Sequence, residues 1–126
     1  MARVISGTKP TEAELSLLNA LWKMGPATVR EIHEMVNLSH KTGYTTVLKI
    51  LQIMHEKSLV IRDETNRAHI YAAANSETHT QTSLIKDLTS KAFGGSTSKL
   101  VMRALDESTS AEEIQDIRQL LNSLEK

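Results

Sequence analysis

The sequence contains no cysteine, and its 126 residues include only one tryptophan, one phenylalanine and two prolines. Without cysteine, the chain has no disulfide, no cysteine-bound zinc site and no thiol nucleophile. No apolar stretch approaches the roughly 18 residues of a membrane-spanning helix, and the N-terminus lacks the apolar segment of a signal peptide. We therefore expect a cytoplasmic protein with no membrane insertion, of a length that suits one domain, or one small domain and an appendage.

The chain has no excess of either charge, with 15 basic and 15 acidic residues, but the charges are unevenly distributed. The segment Met35–His55 contains no acidic residue, although Lys41 and Lys49 lie within it. An acid-free window of this length, in a chain that is 24% charged, indicates a surface that faces anions. The alternative is a chance gap on a solvated helix, and charge alone does not separate the two.

The sequence offers no arrangement of residues that performs catalysis. The segment His33–Asn37 begins like the zinc-protease motif, but Asn37 stands where the second histidine is required, so two ligands cannot converge on one metal. The segment Phe93–Ser96 lacks the downstream Gly-Lys-Ser/Thr of a phosphate-binding loop, and no nucleophile can be paired with a base. We therefore predict that the protein is not an enzyme and needs neither a metal nor a cofactor.

Three segments match the capping box, in which a hydroxyl and a glutamate three residues later cap a helix reciprocally. They begin at Thr11, Thr28 and Ser110. The first two predict helices that end at Gly25-Pro26 and near Asn37, and a third helix is predicted from about Thr42-Gly43 to about Lys57. The residues predicted to face inward are Leu15, Leu18, Leu21, Trp22, Val29, Ile32, Val36, Val47, Leu48, Leu51 and Met54.

A change of hydrophobic period follows these helices. Two β-type runs, residues 59–64 and 68–73, flank a polar turn at residues 65–67 and predict a hairpin. Three helices followed by a hairpin form a winged helix-turn-helix, in which the hairpin is the wing and residues 27–29 are a candidate third strand. A plain three-helix bundle is the alternative, but it leaves the hairpin isolated and only marginally stable. The predicted winged-helix domain covers residues 1–75.

Residues 76–126 are predicted to be helical, with a break at Gly94-Gly95-Ser96 and a helix from Lys99 to Asp106. The last helix has an apolar seam at coiled-coil spacing, and 51 residues of this kind cannot close a core alone. A helical dimerisation domain that forms a homodimer is the simplest solution, and folding back onto the first domain is the alternative. The predicted dimer-interface residues are Leu84, Leu88, Leu100, Leu105, Ile114, Ile117, Leu121 and Leu124.

The outer face of the third helix carries threonine, lysine and glutamine, which exchange hydrogen bonds with base edges. Basic residues on the flanking segments are placed to contact phosphates. The predicted DNA-binding residues are Arg30, Lys41, Thr45, Thr46, Lys49, Gln52, Arg62 and Arg67. The alternatives are an ordinary solvated helix face and, as a function of another class, a winged-helix protein–protein interaction module that does not bind DNA.

Four segments together resemble the penicillinase repressor family of the BlaI/MecI/CopY type. They are P-T-E-A-E-L-x-x-L-x-x-L-W at 10–22, G-P-A-T-V-R-E-I-H at 25–33, Y-T-T-V-L at 44–48 and F-G-G-S at 93–96. The resemblance implies a dimeric winged-helix repressor whose helix Tyr44–Lys57 enters the major groove of a double-stranded DNA operator. It also implies that a membrane sensor metalloprotease relieves repression by triggering cleavage of the repressor.

The sequence departs from the family pattern at three places. Copper-responsive relatives carry a C-terminal cysteine cluster, which this chain lacks, so copper sensing is not expected. The segment Leu100–Met102 matches the Leu-Val-Leu that precedes the Asn-Phe cleavage bond of staphylococcal relatives, but Arg103-Ala104 follows it here. The candidate cleavage region is Met102, Arg103 and Ala104, without the family's bond specificity. Ser58 replaces the usual glycine after the recognition helix, at a predicted small cost in stability.

Overall fold

A computed structural model describes residues 9–125 of the chain. The N-terminal residues on which the signal-peptide prediction depends lie partly outside this range. The elements are α1 (Glu12–Met24), β1 (Ala27–Thr28), α2 (Val29–Val36), α3 (Tyr44–Glu56), β2 (Val60–Asp63), β3 (Ile70–Ala73), α4 (Glu77–Ala92), α5 (Thr97–Ala104) and α6 (Ala111–Leu124). This order confirms the predicted fold class, a mainly α chain with a small β wing.

Local capping determines where several helices begin. At α1, the Thr11 hydroxyl accepts a hydrogen bond from the Glu14 amide at 3.1 Å, and the Glu14 carboxylate accepts one from the Thr11 amide at 2.9 Å. The boxes that begin at Thr28 and Ser110 have the same two bonds, so all three predicted boxes are confirmed. The end of α1 is confirmed too, because Gly25 has a φ of 85° and donates its amide to Leu21.

The three strands form an antiparallel sheet in the order β1-β3-β2. Ala27 pairs with Tyr71, which confirms that β1 joins the hairpin. Strands β2 and β3 are shorter than predicted. The Asp63 carboxylate accepts hydrogen bonds from the Thr65 amide at 2.9 Å and the Thr65 hydroxyl at 2.8 Å, and this local turn ends the strand before Glu64.

One hydrophobic core joins α1, α2, α3 and the sheet. Its buried residues are Leu17, Leu18, Ala20, Leu21, Ala27, Val29, Ile32, Val36, Val47, Leu51, Met54, Val60 and Tyr71. Of the predicted inner face of α1, Leu18 and Leu21 are buried, and Leu15 and Trp22 are half-buried and pack against the core. Leu17 is buried as well, which the sequence analysis did not predict. Helix α1 contacts α2, α3 and β3, so the part of its surface that is buried is wider than a single stripe. Leu48 of α3 is likewise half-buried and packs against the core, as predicted.

The chain divides into two compact units, the first ending at Leu84 and the second beginning at Ile85. Across α4, α5 and α6 the only side chain that is buried is that of Thr89. Helix α5 begins two residues earlier than predicted, because the Ser96 hydroxyl caps it by accepting from the Lys99 amide at 3.1 Å. It also ends earlier, at Ala104.

Candidate nucleic-acid interface

The turn between α2 and α3 is held by the side chain of Asn37. Its amide nitrogen donates to the carbonyl oxygens of His33 at 2.7 Å and Thr42 at 2.9 Å, and its amide oxygen accepts from the Thr42 backbone at 3.0 Å. His33 Nε2 lies 2.8 Å from the same Thr42 oxygen and donates to it. The residue that breaks the zinc-protease pattern therefore fixes the start of α3. Sequence reasoning missed this role, for which an asparagine just after a helix was the available signal.

The opposite end of α3 is tied to α1. The Lys57 ammonium lies 2.9 Å from a carboxylate oxygen of Glu14, which is buried to 4% exposure while it caps α1. Between these two attachments, Val47, Leu51 and Met54 are buried. The opposite face of α3 therefore points to solvent, and the predicted base-reading residues on it are all exposed: Thr45, Thr46, Lys49 and Gln52.

A groove of about 620 Å³ lies between α3, the start of α2 and the wing, the hairpin of β2 and β3. We call it the α3–wing groove. Its polar lining includes Arg30, Gln52, Arg62, Arg67 and His69, and none of its lining residues is acidic. The tertiary structure therefore brings four of the eight predicted DNA-binding residues around one concave surface. The other four, Lys41, Thr45, Thr46 and Lys49, are exposed but do not line the groove.

The three arginines of the groove differ in their surroundings. Within residues 9–125, the side chains of Arg30 and Arg67 form neither a hydrogen bond nor an ion pair. Arg62 is half-buried, and its Nε and Nη2 atoms each lie 2.6 Å from one carboxylate oxygen of Glu64. Arg30 and Arg67 are thus open to an anion, whereas Arg62 already holds one.

Electrostatics around Arg62 follow from these contacts. The neighbouring Tyr71 side chain and the hydrogen-bonded Glu64 carboxylate raise the pKa of Arg62 above its ordinary value. The same guanidinium lowers the pKa of Glu64, and hydrogen bonds from Thr65 lower that of Asp63. All three groups are therefore ionised at neutral pH. Sequence reasoning missed Glu64, although its position two residues after Arg62 on an extended segment was a signal that the two side chains lie on one side.

Helices α4, α5 and α6 leave most of their apolar side chains in solvent. Of the predicted dimer-interface residues, three are half-buried, Leu84, Leu100 and Ile117, and five are exposed, Leu88, Leu105, Ile114, Leu121 and Leu124. Sequence reasoning did not select four further exposed apolar residues, which are Ile85, Val101, Met102 and Leu120. Exposed apolar side chains of this number on three helices are typical of an association surface.

The candidate cleavage region lies at the end of α5. Met102, Arg103 and Ala104 form its last turn and are exposed, and Leu105 after them has extended backbone angles, with φ −92° and ψ 129°. Helix ends fray more easily than helix centres, and a protease needs an extended substrate. The region is therefore accessible to a protease, although nothing in its geometry selects one peptide bond.

No metal-binding group of three or more histidine, aspartate or glutamate side chains is found within residues 9–125. No helix in that same range has both the length and the apolar character needed to cross a bilayer.

The sequence matches the penicillinase repressor family over residues 10–123. It is 29% identical to the transcriptional regulator BlaI of Mycobacterium tuberculosis, over 94% of this chain and 86% of that protein. It is 22% identical to the penicillinase repressor of Staphylococcus aureus, over 90% of this chain and 91% of that protein. It is also 22% identical to the methicillin resistance regulatory protein MecI of Mammaliicoccus sciuri, over 89% and 92% of the two chains.

Proposed function

The chain belongs to the penicillinase repressor family, and from that membership we propose that it is a transcriptional repressor that binds double-stranded operator DNA. The observation that carries the proposal is the α3–wing groove. Three arginines line it and no acidic residue does, and it lies beside the exposed polar face of α3. A surface of this composition attracts a polyanion and places hydrogen-bonding side chains next to it.

In the proposed complex, α3 enters the major groove. Thr45, Thr46, Lys49 and Gln52 read base edges there, because their donors, acceptors and methyl groups match those of the bases. Arg30, Lys41 and Arg67 contact phosphates on either side and set the position of α3 without reading sequence. We assign base reading to the first group because its residues are exposed on α3. We assign phosphate contact to the second group because its residues lie on the segments around α3.

We propose that the repressor is a homodimer formed by the predicted interface residues of α4, α5 and α6. Support comes from their exposure, since water contact with so many leucine and isoleucine side chains is unfavourable by about 25 cal/mol per Å². Two winged helices related by a two-fold axis bind a pseudo-palindrome, with half-sites about one helical turn, or roughly 10 bp, apart.

Proteolysis triggered by a membrane sensor metalloprotease is the proposed route of derepression. A cut within Met102–Ala104 separates α6 from the rest of the chain, and these residues are exposed at a helix end. Two relatives are named for penicillinase and for methicillin resistance, which supports a role for this chain in an antibiotic response.

The test is selection of binding sites by the full chain from a pool of random duplexes, followed by gel-shift titration at two salt concentrations. We expect a pseudo-palindromic consensus occupied by two chains, and an affinity that falls steeply with salt because phosphate contacts release counterions. A consensus without two-fold symmetry, occupied by one chain, would overturn the dimer model. Absence of salt-dependent binding would favour the protein–protein interaction module instead.

A further inference from the structure

Glu64 accepts hydrogen bonds from the two Arg62 donors that are suited to bind a DNA phosphate. One of its carboxylate oxygens accepts from both Nε and Nη2 of Arg62 at 2.6 Å. Arginine presents these same parallel donors to phosphate oxygens. Arg62 itself lines the α3–wing groove beside Arg30 and Arg67. The Glu64 carboxylate therefore pairs with one of the three arginines that line a groove whose lining residues include no acid.

The interaction between Glu64 and Arg62 is weak enough for another anion to replace the carboxylate. Its side chain is 52% exposed, and within residues 9–125 its carboxylate forms a hydrogen bond and ion pair with Arg62 alone. Because the glutamate side of the pair is in contact with water, solvent screens its attraction to Arg62 more than it would in a buried pair. Arg62, in contrast, has only 22% of its side chain exposed and lies on β2 opposite Tyr71, which is only 1% exposed. A competing anion would thus displace the glutamate while the arginine stays in place.

Resting on the DNA-binding function proposed above, we propose that Glu64 is a built-in competitor for DNA phosphate at Arg62. When DNA binds, a backbone phosphate replaces the carboxylate on Nε and Nη2, and Glu64 turns out toward solvent with its charge unpaired. Because the contact with Glu64 must be broken first, Arg62 contributes less to the affinity for DNA than an unpaired arginine would. Because it acts on the backbone, it weakens binding to every DNA sequence equally and lets base contacts on α3 decide occupancy.

The experiment compares Glu64→Gln with Glu34→Gln in the full chain. Both substitutions remove one exposed negative charge from the first unit, but Glu34 on α2 forms no ion pair within residues 9–125. The probe is a 20-bp duplex of arbitrary sequence, titrated at several salt concentrations. We expect Glu64→Gln to bind at least about threefold more tightly than Glu34→Gln, with a steeper salt dependence by up to about 0.9 units of logarithmic slope.

A second substitution tests whether Arg62 is the group released. Adding Arg62→Ala to Glu64→Gln should abolish the gain in affinity and slope, whereas Arg62→Ala alone should cost less than it does in the Glu64→Gln background. If Glu64→Gln and Glu34→Gln bind alike, Glu64 does not compete with DNA at Arg62 and the inference is overturned. If the wild-type chain binds no duplex at any salt concentration, the proposed function fails and this inference fails with it.

Discussion

At the scale of the residue, Ser58 shows how one side chain lowers stability at the end of the proposed recognition helix. Its φ of 65° lies in the left-handed region, where a Cβ atom meets the following carbonyl. The amides of Ser58 and Leu59 nonetheless donate to His55 and Met54, at 3.1 and 2.9 Å, which is the Schellman pattern that usually has glycine at this point. The penalty predicted from the sequence thus has a visible cause.

We predict that Ser58→Gly raises the free energy of unfolding by about 0.5–1 kcal/mol, because glycine adopts this φ without strain. The greater conformational entropy of glycine in the unfolded chain offsets only part of this stabilisation. Ser58→Ala should give no increase, since alanine keeps the Cβ atom. Urea denaturation followed by circular dichroism measures both variants. Equal stabilities of Ser58→Gly and Ser58→Ala would show that strain at this φ is not what matters.

Asn37 is the second residue whose identity has a defined consequence. Asn37→Asp keeps the acceptor for the Thr42 amide but places carboxylate oxygens against the carbonyls of His33 and Thr42, where the amide now donates. We predict a loss of about 1–3 kcal/mol in the free energy of unfolding at neutral pH. Asn19→Asp is the matched control, because Asn19 is exposed on α1. An equal loss in both variants would contradict the role given to Asn37.

At the scale of the element, α3 and the wing divide the proposed work on DNA. Helix α3 is fixed at both ends, by Asn37 before it and by the Lys57–Glu14 ion pair after it, so its outer face has a defined orientation. The turn of the wing, in contrast, carries Arg67 on a short hairpin loop with no ion pair within residues 9–125. A fixed helix suits base recognition, whereas an exposed arginine suits contact with phosphate.

We therefore predict different outcomes for substitutions in the two elements. Lys49→Ala and Thr46→Ala should each lose about 1–3 kcal/mol of discrimination between the selected site and a mismatched site. Arg67→Ala should weaken binding to both sites equally and lower the salt slope by about one unit. Lys23→Ala, the control on exposed α1 surface, should change neither quantity. An unchanged salt slope in Arg67→Ala would mean that the wing does not contact phosphate.

At the scale of the whole molecule, the core and the proposed interface belong to different parts of the chain. Within residues 9–125, all thirteen buried hydrophobic residues lie between Leu17 and Tyr71. Helices α4, α5 and α6 bury only Thr89, and α6 exposes most of its apolar residues. Loss of α6 therefore removes no part of the core, but it removes the seam that we propose holds two chains together.

We predict that a chain ending at Met102 is a folded monomer that binds the two-half-site operator more weakly by orders of magnitude. It lacks Ile114, Ile117, Leu121 and Leu124, each worth about 1.5–3 kcal/mol when buried, and it loses the effective concentration that one bound head gives the other. Sedimentation, circular dichroism and gel-shift titration measure assembly, folding and affinity. A shortened chain that stays dimeric would place the interface outside α6.

Much of the fold could be predicted from interactions between residues that are close in sequence. The capping boxes that begin at Thr11, Thr28 and Ser110 involve partners three residues apart, and the end of α1 depends on Gly25 alone. The hairpin and its winged-helix context followed from a change of hydrophobic period. The sequence could determine these features because each depends on interactions within a few residues along the chain.

Tertiary structure decided the features that depend on distant segments. Leu17 is buried because α1 meets three neighbours, and Lys57 holds α3 in place through Glu14, 43 residues away in sequence. Arg30, Gln52 and Arg67 share one groove because β1 pairs with β3 and brings the start of α2 against the wing. Hydrophobic periodicity predicts which residues share a face of one helix or strand, but it does not predict how far apart two elements lie. The packing of the elements sets that distance, and it brings the three arginines of the groove onto one surface.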